Sequence, residues 1–514
     1  MPGPSERESA VPTCPLPGDP SLEHLKAQAK LLQRRVRERA ADALELVREF
    51  HPRLAAVDDQ SPALDAFSRA DAQLVVARRY DFASWNRLRR HLGIVERYTR
   101  SPHRQPVGGP VGSDEELADE FLRLACLTYS NDDPQRWRQA GELLSAHPQI
   151  AESSLHTAAG VGDVEAARRL LAADPAVARA EGGPHRWEPL LYAACSRLDS
   201  TQPGHSTLEV AHLLLQHGAD PNAGYLSQGL PSPFTALTGA FGRGEGDPPP
   251  HQFEHELARL LLEAGADPND SQTIYNRSFD PECGPLELLL QHGFGRGTGG
   301  PWHARLASAH PTPEQMAQDA LIWAVAYDHA DRVRVLAASG VVDLDGRGTQ
   351  HPVVGGRTAC ELAIATGNGE IADILVHAGA TPPRLDAAGQ FESAAMQADR
   401  AAVEALLAAD PDLAGEARAR EPALVVRAAE HGRIEAVRLL AAHGFDVNAL
   451  HRGRTALHEA AFRGDLATVD LLLELGADPT VRDRDYDAPP LGWAEHNGRQ
   501  EVAARLREVM AEPA

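Results

Sequence analysis

Aromatic residues are scarce in this chain of 514, at 5%. That argues against an interior built from bulky rings and favours Leu and Ala packed between helices. Lysine is nearly missing: the 50 basic side chains include only Lys26 and Lys30. GC-rich codon usage explains this most simply, accounts for the many alanines, and points to a high-GC bacterium. The five cysteines, Cys14, Cys126, Cys195, Cys283 and Cys360, are far apart, odd in number and without C-x-x-C spacing. Free thiols in a reducing cytosol follow, so a cytoplasmic location is expected. No apolar run approaches the ~20 residues that span a bilayer, so no membrane partner is expected. Met1-Pro2-Gly3-Pro4-Ser5-Glu6 lacks a basic segment followed by an apolar one, so no signal peptide is expected. No Gly-x-Ser-x-Gly, Walker loop or Cys/His constellation stands in a plausible context. No catalytic residue, cofactor or metal is therefore expected, and the chain reads as a non-enzyme.

What is present is an ordinary 43% of hydrophobic residues, enough for several domains or one long solenoid. The net charge of −23 disfavours binding along duplex DNA. It is uneven: residues 1–100 carry 17 basic and 14 acidic side chains, a net of +3, leaving −26 on the remainder.

The stretch from Gly453 to Thr480 is the one the chain repeats. Thr455 can cap a helix start by accepting an N–H of the first turn. Ala456, Leu457, Ala460 and Ala461 then share one face, small enough for a neighbouring helix to come close. Gly464 ends that helix in a left-handed cap. Leu466, Val469, Leu471, Leu472 and Leu473 make the apolar face of a second helix, which Gly476 closes and Pro479 cannot extend. The unit is helix, turn, helix, loop. Neither helix buries its apolar face alone, so copies must stack.

Through Thr455-Ala456-Leu457-His458 and Gly476-Ala477-Asp478-Pro479 this unit resembles the ankyrin repeat, with Ala456 where that family usually has proline. The resemblance covers about 150–508 and implies an all-α ankyrin-repeat helical solenoid of helix-turn-helix units with short hairpin loops. Nine or ten units are expected, irregular across 197–345, with insertions near 197–206 and 242–251. Degenerate or weak units are expected at about 274–300 and 385–412. Ahead of the array, residues 1–20 read as a disordered tail, 21–100 as a small helical domain, 101–113 as a linker and 114–149 as a capping helix pair. Residues 509–514 read as a tail. In the helical domain, residues 21–50 and 69–79 are periodic, and a third helix starts at Asp81-Phe82-Ala83-Ser84-Trp85.

Several stretches invite chemistry. Gly242-x-Gly244-x-Gly246 and Gly295-x-Gly297-x-Gly299-Gly300 lack the preceding strand of a phosphate loop and read as flexible insertion loops. His251 and His255 are four apart, but Gln252 stands where a metalloprotease has Glu, and no third ligand is evident. His156 and His458 stand where ankyrin repeats usually have histidine, which implies a hydrogen bond to backbone in the adjoining loop. Arg78, Arg79, Arg87, Arg89, Arg90, Arg97 and Arg100 concentrate positive charge. With Asp81 and Glu96 interleaved, an intramolecular contact with the acidic array, or a solvated face, outweighs a nucleic-acid patch.

The resemblance implies a protein partner held on the concave side of the array by a monomer. Its variable positions fall here on Tyr327, Glu430, His431, Arg454, Phe462 and Arg463, and aromatic and Arg side chains in such places are common anchors. Two alternatives remain open. One is a nucleic-acid-associated regulator using residues 21–100, although nucleic acid is the less favoured partner. The other is an enzyme with its site in the insertions of 197–345.

Overall fold

The computed structural model describes residues 14, 16, 21–105, 107–108, 112–130, 132–199, 203–348 and 356–511. Most of the tail expected over 1–20, and the last three residues of the chain, lie outside these. The chain divides into two compact units, Met1–Met316 and Ala317–Ala514, the division falling inside the helix Pro313–Ala326.

The first unit opens with four helices, Leu22–Arg37, Ala41–Phe50, Arg69–Arg79 and Trp85–Tyr98. Leu25, Ala29, Leu32 and Val36 recur at helical steps. All are buried in one cluster with Leu44, Val75 and Leu88 from the other three helices. The periodic stretch 21–50 is two helices, because Arg39 turns left-handed at φ 59° and donates to the Asp65 carboxylate and the Ser61 carbonyl. Neither Pro nor Gly marks that break. Ser68 and Ser84 cap the third and fourth helices.

The fourth helix runs straight into a strand, β1 (Thr99–Arg100). This pairs parallel with β2 (Gly224–Ser227), which pairs antiparallel with β3 (Pro233–Thr235). Among the described residues this is the one sheet, in a chain otherwise helical. β2 and β3 are arms of a repeat loop, so the end of the stretch read as the helical domain, just ahead of the expected linker, is fastened to the array. Gln105 continues the attachment by donating to the Pro184 carbonyl. After the helices Asp114–Ala125 and Pro134–Ala146 come the pairs Leu155–Val161 with Val164–Ala173, Pro189–Cys195 with Thr207–Gln216, Ala236–Phe241 with Glu254–Glu263, and Ser271–Ser278 with Gly284–Gln291. Small residues let first helices touch: a Cβ added to Gly239 would lie 2.9 Å from Cys195 Sγ. The segments between paired helices are tied down. Arg197 donates to the carbonyls of Gly239 at 2.6 Å and Pro249 at 2.8 Å.

The second unit continues the pattern after Pro313–Ala326 and Ala330–Ser339. Its pairs are Ala359–Ala365 with Gly369–His377, Ala387–Met396 with Arg400–Ala409, Leu424–Glu430 with Ile434–Ala442, Ala456–Arg463 with Leu466–Glu474, and Pro490–His496 with Gln500–Ala511. Ala456, Leu457, Ala460, Ala461, Val469, Leu471 and Leu472 are all buried in one core, while Leu466 and Leu473 pack partly buried against it. The weak stretch 385–412 holds a complete pair, followed by an extra helix Leu413–Arg420.

The loops carry a second fastening. Asn448 donates Nδ2 to the Gly476 carbonyl at 3.2 Å and accepts from the Asp478 amide at 2.8 Å. Asn222 does the same to Gly265 and Asp267, so the Asn of the closing motif hydrogen-bonds one loop to the next. Among the described residues no helix is long and apolar enough to cross a membrane.

Candidate functional site

The last two pairs of the second unit gather aromatic rings around Trp493. Asp483 fixes that indole. Burial pushes the Asp483 carboxyl up, but hydrogen bonds from Trp493 Nε1 at 2.9 Å and from the amides of Tyr486, Ala488 and Asp485 outweigh it and hold it at about 2. Phe462 meets the Trp493 ring edge-on at 5.8 Å, and Tyr486 does so at 6.0 Å. The Arg454 guanidinium lies 5.3 Å over it. Phe462 remains 45% exposed and Tyr486 76% exposed. Arg454 also pairs with Glu459 at 3.1 Å. Burial pushes the Glu459 carboxyl up to about 7, against the pull of Arg454.

His458 sets the floor of this patch. Its Nε2 faces the Ala488 carbonyl at 3.1 Å and must donate, so in a neutral ring Nδ1 accepts from the Thr455 amide and hydroxyl. Burial lowers the basicity of this imidazole. His156 likewise reaches the Ala180 carbonyl at 2.7 Å in the first unit. Both histidines therefore bond backbone in the adjoining loop, as the resemblance implies.

A row of arginines runs along the turns beside the patch. Arg463 donates to the Glu430 carbonyl at 3.2 Å, and Arg499 to the Phe462 carbonyl at 3.1 Å. Arg433 reaches Asp328, and Asn368 shares that carboxylate at 2.7 Å. His431, in the same row, has its basicity lowered chiefly by burial. Tyr327, next to Asp328, stacks on Trp323 at 5.4 Å and is 39% exposed. Thus Arg454 and Phe462 meet at Trp493, Glu430 and Arg463 meet at a backbone carbonyl, and Tyr327 and His431 flank the Asp328–Arg433 bond. Trp493 and Tyr486, which complete this aromatic cluster, are not among the positions singled out from the sequence. Three aromatics at 462, 486 and 493 in a chain so poor in them were the available signal.

A second feature lies among the first helices of the same unit, a groove of about 460 Å³. Its apolar lining comes from Ile364, Leu385, Met396 and Leu424. Each bordering carboxylate has a guanidinium partner. Asp386 and Glu392 share Arg420 at 2.9 and 2.8 Å, Glu361 pairs with Arg347 at 3.1 Å, and Glu421 with Arg427 at 3.6 Å.

In the first unit, part of the basic stretch is used internally. Arg97 and Arg100 pair with Glu181 at 2.7 and 3.0 Å. Tyr98 meets Trp302 at 5.0 Å, and Arg305 lies over both rings. Val95, Leu226, Trp302 and Leu306 form a buried cluster beneath. Arg87, Arg89 and Arg90 face solvent.

The other candidate chemistry is absorbed by the fold. Burial, helped by Arg197, lowers the His251 pKa to about 3. Its Nε2 faces Thr207 Oγ1 at 3.0 Å and its Nδ1 accepts from the Phe253 amide, so neither ring nitrogen is open to zinc. Among the described residues no three His, Cys, Asp or Glu stand as a metal site. The amides of Gly295 and Gly300 donate to Asn269 and Asp267. A carboxylate thus already occupies the place a phosphate would need.

Comparison with known proteins finds ankyrin repeats in both units. A three-copy ankyrin-repeat model matches residues 391–483, and a single-repeat ankyrin model matches 185–224. The chain is also similar to the Arf-GAP with ANK repeat and PH domain-containing protein cnt-1 of Caenorhabditis elegans, 43% identical over 65 residues. That stretch is 13% of this chain and 8% of the worm protein, so the likeness spans a small part of either. With the paired helices described above, these matches identify the fold as an ankyrin-repeat helical solenoid, an architecture associated with protein–protein interaction.

Proposed function

We propose that this chain is a non-enzymatic scaffold that grips a protein partner on the concave side of the ankyrin array in its second unit. The patch of Arg454, Phe462, Tyr486 and Trp493 is the anchor. The observation that carries this reading is the exposure of Phe462 and Tyr486 against a shared Trp493. Aromatic and Arg side chains dominate binding energy where a partner desolvates them. Edge-on ring pairs with a polar tip supply contact area at low entropic cost. Glu430, His431, Arg463 and Tyr327 border the patch and would form its rim. The buried thiols Cys126, Cys195 and Cys360 form no disulfide, which supports a reducing, cytoplasmic setting, and a monomer suffices for the binding surface.

Affinity capture from native lysate with the full chain tests this. Phe462→Ala/Tyr486→Ala should lose a specific protein that the parent chain retains, by at least tenfold, with the helical circular dichroism unchanged. Equal capture by parent and variant would end the reading.

A further inference from the structure

Resting on the reading of the second unit as a protein-binding surface, we propose that its groove receives an acidic segment of the partner, with Asp or Glu carboxylates on Arg357 and Arg384 and an aliphatic side chain on the floor between them. The charge arrangement at the groove points there. Asp386, Glu392, Glu361 and Glu421 are each engaged by Arg420, Arg347 or Arg427. Arg357 and Arg384 also line the groove, and among the described residues no carboxylate pairs with either. Arg384 is exposed and Arg357 half-buried, both available to a ligand.

A basic segment would find every bordering carboxylate already neutralised and would have to displace an intramolecular arginine. An acidic segment meets two uncommitted guanidiniums, whose planar donors suit carboxylates. The rest of the chain adds selectivity. The whole chain's net charge of −23 repels acidic peptides in general, so they are favoured only where positive charge is left over. The same lining includes half-buried Ile364 and Leu385 and buried Met396 and Leu424, which offer apolar surface. A volume of about 460 Å³ lies within the ~300–1,000 Å³ of ligand sites, room for an anchoring side chain and its neighbours. This groove is separate from the Trp493 patch, so the two would read different features of one partner.

The test is a random dodecapeptide phage library panned on the full chain and on Arg357→Glu/Arg384→Glu. Among the described residues neither arginine is bonded to another element, so the variant is expected to keep its fold, which a thermal melt checks. The parent should enrich peptides with two or more carboxylates flanking an aliphatic residue. A synthetic copy of the enriched peptide should bind the double variant at least tenfold more weakly and bind Phe462→Ala unchanged. Enrichment of neutral or basic peptides, or an acidic peptide indifferent to the double reversal, overturns the proposal. So does a selection that enriches nothing. If capture through Phe462 and Tyr486 persists in any of those cases, the scaffold reading stands and only the acidic occupant is lost.

Discussion

Arg433 places Nη2 2.8 Å from both carboxylate oxygens of Asp328, a residue 105 positions earlier. The same guanidinium donates Nε to the Thr366 carbonyl at 3.2 Å, and Asn368 shares the carboxylate. Three helix–helix turns are thereby held side by side through one acid. Both side chains are about one-quarter exposed, at 27% and 29%, so the pair is worth more than a surface ion pair and less than a buried one. Asp328→Asn and Arg433→Gln should each lower unfolding free energy by about 1–2 kcal/mol. A double-mutant cycle in urea should show coupling of at least ~1 kcal/mol. Additive losses would mean the turns are held by packing alone.

Asp328 and Ala398 occupy turn positions that Gly367, Gly432, Gly464 and Gly498 fill elsewhere in the unit, and all six have positive φ. At Ala398, φ 56° forces a Cβ into the left-handed region, which costs roughly 1 kcal/mol relative to glycine. No side-chain bond compensates, unlike at Asp328. Ala398→Gly should raise the thermal midpoint slightly, a net gain of up to about 0.5 kcal/mol once the extra backbone entropy of glycine is subtracted. A lower midpoint would contradict the strain argument.

Much of the array was legible because its physics is local. Small residues in the first helix, Leu in the second, a closing Gly and the looping Asn each announce themselves within one period. The pair at 387–409 was weak for one reason: Ala398 replaces the turn glycine, and only tertiary packing enforces the turn. The break at Arg39 was invisible likewise, since its partners Asp65 and Ser61 come later in the chain. The β1–β2 pairing joins residues more than a hundred apart, which no periodicity reports. The convergence of Phe462, Tyr486 and Arg454 on the Trp493 ring depends on two helices and two loops being placed together, which no local pattern reports.

The joint between the fourth helix and the array rests on Glu181, which accepts from Arg97 and Arg100 together. Arg100 is 8% exposed, so loss of its counter-charge leaves a nearly buried cation unpaired. Glu181→Gln should speed amide exchange across Thr99–Gln105 by about tenfold, the equivalent of ~1.4 kcal/mol. Unchanged exchange would show that the Trp302–Tyr98 contact suffices.

Acid should weaken the first unit through His251. Folded, this ring has a pKa of about 3, against 6.5 ordinarily. Below 6.5 the unfolded chain binds a proton there that the folded chain does not. The stabilisation is therefore complete above 6.5 and is lost as pH falls towards 3, at about 1.4 kcal/mol per unit. Between about pH 6.5 and 5.5 the parent should lose about 1 kcal/mol more than His251→Gln in urea titrations. Glu188 and Glu459, with carboxyls pushed up to about 7, act in the opposite sense, losing stability as pH rises. Both are present in parent and variant and cancel in the comparison. Parallel pH profiles would contradict the burial argument.

A protein partner seated on Phe462, Tyr486 and Trp493 would shield the surrounding backbone from solvent. Hydrogen–deuterium exchange on the full chain, with and without its captured partner, reads this directly. Protection should concentrate at 454–463 and 484–494, with the second helices Leu466–Glu474 and Gln500–Ala511 unchanged. Protection confined to those second helices, or to the first unit, would contradict it.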